Sequence, residues 1–233
     1  MRIRLYQVDP SLDRDGLRFL PYAQTVEKAG QPDPSRYCKV FDGDVQTSDL
    51  EVVFRLFNTD FPDGYNGRAM SVSDVAVVDE TVPGTPAGAY FCDLFGYRLL
   101  QSFDESKAKL QPSGLRMLVL EPGLPPYVSR IRDSLESLQA AVGGYIECTY
   151  PFEDNAFVIG NEEAKLIGME GNRRINGAIY AGPLLIAGDD GAGGTVDLTD
   201  EQIRLYGERF RDPEFIPREE VEADTGLTFY PFG

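Results

Sequence analysis

The 233-residue chain contains no histidine, only three cysteines, and 22 basic side chains against 38 acidic ones. Without histidine there is no Ser-His-Asp or Cys-His nucleophile, no imidazole base near neutral pH and no imidazole metal ligand. Carboxylate-only catalysis and oxygen-ligated Mg²⁺ or Ca²⁺ are what remain open. Cys38, Cys92 and Cys148 lie far apart, in no metal or redox spacing and among apolar neighbours, so all three are expected to be buried free thiols. No apolar run reaches the roughly 18 residues needed to span a bilayer. The opening Met1-Arg2-Ile3-Arg4-Leu5-Tyr6 has no signal-peptide core. These shortages predict a cytoplasmic protein, not an enzyme of the usual hydrolase or metalloenzyme designs, with no cofactor.

What is abundant is negative charge. The net charge is −16, the wrong sign for a nucleic-acid-binding face or an anionic membrane surface. Excess charge of this kind keeps a protein soluble. It also draws basic partners, and one class of acidic protein imitates the phosphates of DNA. The charge is uneven: residues 1–110 carry 12 basic and 17 acidic side chains, net −5, and residues 111–233 carry 10 and 21, net −11.

Hydrophobic and turn patterns divide the chain into a module over residues 1–103, a polar linker over 104–113, a second and more acidic module over 114–188, and a glycine-rich spacer, helix and acidic tail over 189–233. In the first module Arg2–Val8, Leu17–Leu20, Tyr37–Phe41, Ser71–Val78, Ala89–Cys92 and Phe95–Leu100 read as strands. Pro21–Ala29 reads as a helix. Ser48-Asp49-Leu50-Glu51 is a capping box ahead of Leu50, Val53, Phe54 and Phe57 at helical spacing. In the second module Leu115–Leu120, Tyr127–Ile131, Tyr145–Tyr150, Ala156–Ile159 and Ala178–Ile186 read as strands. Asp133-Ser134-Leu135-Glu136 opens a helix that Gly143-Gly144 ends, and Thr199-Asp200-Glu201-Gln202 caps a last one. The expected fold is α+β: two small modules, each a mixed or mainly antiparallel sheet packed with one helix, plus a C-terminal helix and tail.

Four polar constellations are candidates for binding. The loop from Asp60 to Arg68 lacks phosphate-loop spacing and is expected to be a turn presenting Tyr65 and Arg68, residue types suited to a partner surface. Residues 150–176 gather Glu153, Asp154, Asn161, Glu162, Glu163 and Arg173. They form a polar cleft, a hydrated Mg²⁺ site or a pair of solvent-facing turns. The tail carries Glu219, Glu220 and Glu222, either a phosphate-like track or a solvated helix. The glycines between Gly182 and Gly194 show no phosphate-loop order and read as a linker.

Tyr65-Asn66-Gly67-Arg68-Ala69-Met70-Ser71-Val72-Ser73-Asp74-Val75, then Ala89 to Tyr97, with Arg4-Leu5-Tyr6-Gln7-Val8 before them, resemble the YodL-like domain over residues 1–101. Residues 115–188 resemble a domain of unknown function seen in phages, plasmids and conjugative elements of Gram-positive bacteria. The matching stretches are Arg116–Gly123, Gly143–Glu147, Tyr150–Phe152 and Asn161–Gly168. Neither resemblance brings a catalytic residue. Together they imply a mobile element of a Firmicute, where small acidic accessory proteins often act against restriction or CRISPR nucleases. The expected function is therefore inhibition of such a nuclease through an acidic surface that meets a basic one. A carboxylate-based or metal-assisted enzyme and a regulator of a cytoskeletal or replication protein are the alternatives.

Overall fold

The computed structural model of the chain describes residues 1–110 and 113–225. It divides into two units, Met1–Ser113 and Gly114–Gly233. Both are α+β.

The first unit is built on β1 (Arg2–Val8), followed by helix α1 (Tyr22–Ala29), β2 (Tyr37–Asp44), helix α2 (Leu50–Thr59), β3 (Val75–Val78), β4 (Gly88–Cys92) and β5 (Tyr97–Leu99). The strands form one antiparallel sheet in the order β2-β1-β3-β4-β5. Alternation along β1 sends Ile3 and Leu5 to one face, where they pack with Val53 and Phe57 of α2. It sends Tyr6 and Val8 to the other, against Tyr37, Val75 and Phe91. Both helices read from the sequence of this module are present, so its sheet carries two rather than the one expected per module.

Local chemistry departs from expectation at three places here. The N-cap of α2 is Asp49, whose carboxylate accepts from the Glu51 amide, in place of the expected Ser48 box. Leu17–Leu20 is not a strand, because the buried Asp13 carboxylate accepts from the Leu17 and Arg18 amides and holds a turn. Residues 104–110 are not a linker. Glu105 accepts from Arg4 and Tyr6 on β1, the Lys109 backbone bonds to Tyr37 and Lys39 on β2, and the Lys109 ammonium meets Asp9.

The second unit contains β6 (Leu115–Leu120), β7 (Tyr127–Ile131), helix α3 (Leu135–Val142), β8 (Ile146–Thr149), β9 (Ala156–Asn161), β10 (Gly171–Ile175), β11 (Ala178–Ala181), β12 (Leu184–Asp189), β13 (Thr195–Val196), helix α4 (Asp200–Arg209) and helix α5 (Arg218–Ala223). The main sheet runs β7-β6-β12-β9-β8, with β13 on β12, and is antiparallel throughout. Its central strand β12 has five buried residues in succession, since both sheet faces are covered. On one face α3 packs over Met117, Val119, Ile159 and Leu185. On the other, α4 brings Tyr206 and Phe210 onto Leu118, Val158 and Ile186.

The caps expected for this half are present. Ser134 caps α3, Gly143 ends it in the left-handed region at φ +77°, and Thr199 with Gln202 forms a capping box on α4. The apolar run Ala178–Ile186 is two strands, because Gly182-Pro183 interrupts it. Residues 171–175, which hold the polar run Asn172-Arg173-Arg174, are strand β10, paired with β11. The glycine-rich spacer and last helix expected outside the second module are part of its unit.

Candidate functional site

The main sheet of the second unit is incompletely covered at its β8 edge. There β8, the end of β9, the turn after it and β11 enclose an open groove of about 390 Å³. Gly160 on β9 forms part of it, and a side chain at that position would crowd Leu184. Ala164, Ile179 and Leu184 supply apolar lining. At one end Thr149 of β8 and Tyr180 of β11 share a hydrogen bond of 2.8 Å.

Carboxylates rim this groove. Glu147 pairs across the ladder with Gly160, and Glu162 follows two residues later on the same side. In a regular antiparallel pair such diagonal neighbours stand roughly 7–8 Å apart. The lining ammonium, Lys165, is held at 2.5 Å by Asp224, which also lines the groove. Among the described residues Glu147 and Glu162 have no ion pair. The groove thus has an apolar interior and uncompensated negative charge.

A second polar concentration lies inside the first unit. Asp74, fully buried, accepts from both Arg68 Nη atoms at 2.5 and 3.1 Å, from the Ser71 amide at 2.8 Å and from Gln7 Nε2 at 3.0 Å. Gln7 also bonds to the Arg68 amide and carbonyl, and the Arg68 guanidinium lies 4.5 Å from the centre of the Phe19 ring. Tyr65 donates its hydroxyl proton to the Arg68 carbonyl. These polar groups bond to one another, and the cluster braces the loop against β1.

Residues 2–103 match the family model of the YodL-like domain, and residues 115–211 match that of Domain of unknown function (DUF3846). The chain carries a YodL-like domain followed by a DUF3846 domain. No curated protein and no solved structure matches it. The DUF3846 match reaches Arg211, past residue 188, and so takes in α4, whose Tyr206 and Phe210 complete the core.

Within the YodL-like domain, Arg68 is 5% exposed and Tyr65 is half-buried. The expected presentation of these two on a partner surface is therefore wrong. A buried guanidinium needs acceptors to offset its desolvation, and for Arg68 the carboxylate of Asp74, six residues away, supplies them.

In the DUF3846 domain the polar residues expected around one cleft do not converge. Glu153 and Asp154 precede β9, and Glu162 and Glu163 follow it. That six-residue strand separates them by about 20 Å at roughly 3.3 Å per residue. Asp154 accepts from Tyr206 and Gln202 and fastens α4 to the sheet. Burial, then Asp154, pushes the Tyr206 phenol above its ordinary range. Asn161 is buried, bonding to the Gly143 carbonyl and the Glu163 amide, so it is a brace beside the groove. Glu163 is exposed.

Arg173 is 1% exposed and donates to the carbonyls of Leu124, Asn172 and Phe210. Its charge faces carbonyl dipoles, and burial pulls its pKa down. It is not a surface binder. On α5, Glu220 pairs with Arg174 and Glu222 with Arg218. Two of the three tail carboxylates are thereby neutralised, which breaks up a phosphate-like track. Glu219 has no ion pair among the described residues.

Cys38 and Cys92 are buried as expected, and burial raises the Cys92 thiol to about 12. Cys148 is exposed, contrary to expectation, because β8 is an edge strand. Sequence reasoning missed Glu147, since nothing local to it signals that β8 pairs with β9. It also missed Gln7 and Asp74, although Asp74 three residues after Ser71 is an ordinary turn-forming spacing. Among the described residues no helix is long and apolar enough to cross a membrane, and no group of three His, Cys, Asp or Glu side chains is placed to hold a metal ion.

Proposed function

We propose that this chain is a non-enzymatic accessory protein of a mobile genetic element, which binds a nucleic-acid-targeting host defence protein of the restriction or CRISPR type. In this reading the DUF3846 domain meets a basic surface of the target and blocks its access to nucleic acid. The observation that carries the reading is the uncompensated carboxylate rim of the β8 groove, where Glu147 and Glu162 stand beside a lysine already held by Asp224. Exposed Glu153, Glu163, Glu170 and Glu201 extend the same sign over the domain surface. Charge of one sign on an exposed face speeds encounter with an oppositely charged partner and selects against like-charged ones.

The resemblance of the second domain to one seen in phages, plasmids and conjugative elements supports the mobile-element setting, and the net negative charge supports a basic partner. Metal-assisted catalysis by the 153–163 carboxylates is disfavoured by their placement at opposite ends of β9. Regulation of a cytoskeletal or replication protein differs only in the target.

Affinity capture from a Firmicute host lysate on the immobilised full-length chain, followed by mass spectrometry, identifies the target. Purified target is then titrated at increasing salt. The expected result is inhibition of nucleic-acid cleavage that weakens steeply as the Debye length contracts from about 30 Å at 0.01 M to about 8 Å at 0.15 M. Salt-independent binding, or a target with no nucleic-acid substrate, overturns the proposal.

A further inference from the structure

β8 is the outermost strand of its sheet, and its hydrogen-bonding phase is fixed by one contact. The Glu162 amide donates to the Tyr145 carbonyl at 2.9 Å, so Tyr145 and Glu162 are a hydrogen-bonded pair. Such pairs alternate along an antiparallel ladder. Glu147 with Gly160 and Thr149 with Val158 are therefore the next ones, which turn their amides and carbonyls towards β9. The N–H and C=O groups of Ile146 and Cys148 then point the other way, off the edge of the sheet. Among the described residues nothing bonds to them.

Side chains on β8 obey the same alternation. Glu147 and Thr149 lie on the groove side. Ile146 turns to the opposite face and packs against the core beneath α3. The strand edge and the groove consequently adjoin, with Glu147 at their common border and exposed Tyr145 beside it.

We propose that β8 accepts a further strand, an extended segment of a partner protein bearing Lys or Arg at alternate positions, whose basic side chains enter the groove beside Glu147 and Glu162. The incoming backbone exchanges hydrogen bonds with Ile146 and Cys148. The residue between those two contacts stands opposite Glu147 in a non-hydrogen-bonded pair, where Cα atoms approach to about 4.5 Å and side chains are closest. A long cationic side chain there lays its methylenes along the apolar lining and its charge at the carboxylate rim. Main-chain bonds supply affinity in this mode, and the pocket for alternate side chains supplies selectivity. An acidic or purely apolar strand is excluded by the uncompensated charge of Glu147 and Glu162. This inference rests on the basic-partner reading above and specifies how that partner is held.

The test uses the full-length chain and a fluorescein-labelled eight-residue peptide of alternating Lys and Val, followed by fluorescence anisotropy. A Glu/Val peptide of the same length is the charge control. The Lys/Val peptide N-methylated at alternate residues is the backbone control, since it keeps its charge and loses its donors. Cys148→Pro removes the outward N–H without touching a bond to β9, and Glu147→Lys reverses the border charge. The expected result is binding of the Lys/Val peptide alone, weakened at least about tenfold by either substitution or by N-methylation.

If the N-methylated peptide and the Cys148→Pro chain bind as tightly as the unmodified pair, strand addition is overturned. Weakening by Glu147→Lys in that case leaves the acidic-surface reading standing. If Glu147→Lys also has no effect, both fall. The N-methylated peptide decides the matter even where Cys148→Pro does not fold, and no binding of Lys/Val peptide to the unaltered chain overturns the inference outright.

Discussion

Arg68 and Asp74 face each other inside the YodL-like domain as a two-point ion pair, with Nη2 2.5 Å from Oδ1 and Nη1 3.1 Å from Oδ2. Breaking a buried pair by removing one partner leaves the other charge uncompensated, which costs about 3–5 kcal/mol. Arg68→Ala is therefore expected to destabilise the YodL-like domain by that amount. Amide hydrogen exchange at β1 and β3 is the suitable readout, because a chain of two units need not unfold in one step. A loss below about 1 kcal/mol, the range of an exposed pair, would show that the pair is not buried in solution.

Tyr206 and Asp154 offer a milder case. The Tyr206 hydroxyl is buried against an acceptor that water reaches, so Tyr206→Phe deletes one bond while Asp154 rehydrates. The expected cost is about 1 kcal/mol, read as faster exchange of the α4 amides. Asp154→Ala leaves the buried phenol without its partner and should cost at least as much.

Glu105 makes the YodL-like domain sensitive to acid. Its burial pushes the carboxyl up, but hydrogen bonds from Arg4 and Tyr6 outweigh that and leave it below the ordinary carboxylate range. A carboxyl depressed in the folded state stabilises the fold fully above its unfolded pKa of about 4.3. That contribution is lost as pH falls through the lower, folded value. Unfolding followed between pH 6 and pH 2 should show a shallower acid decline in Glu105→Gln than in the unaltered chain. Identical profiles would rule out the linkage.

Divalent cations provide the fourth expectation. Ligands bound only by the folded state raise its melting temperature, and effective Mg²⁺ or Ca²⁺ binding needs several converging oxygens. With Glu153 and Asp154 at one end of β9 and Glu162 and Glu163 at the other, millimolar Mg²⁺ or Ca²⁺ should leave the melting temperature unchanged. A rise that Glu162→Gln abolishes would reopen the metal-assisted alternative.

Much of the fold was legible because its signals are local. The Thr199–Gln202 capping box, the Gly143 stop, and the periodic faces of α2 and α3 depend on neighbours within a turn or two, so they survive whatever surrounds them. The split at Gly182-Pro183 was legible too, but a continuous apolar run outweighed it. The strand β10 was hidden because the run Asn172-Arg173-Arg174 is polar throughout and shows no apolar alternation. Asn172 is buried by bonds to the carbonyls of Leu120 and Gly182, the first of which lies 52 positions away.

The candidate site divides along the same line. Sequence alone determined the excess of carboxylates, their concentration after residue 111, the absence of histidine and the order of the two domains, since these depend on composition and linear pattern. Only the tertiary structure decided which charges remain available. It buried Arg68 on Asp74 and Arg173 among carbonyls, paired Glu220 and Glu222 with arginines, and left Glu147 and Glu162 open beside an unpaired strand edge. The physical reason is that a charge is spent or free according to what the fold brings within about 4 Å of it, and those partners are set by strand register and packing rather than by position in the chain.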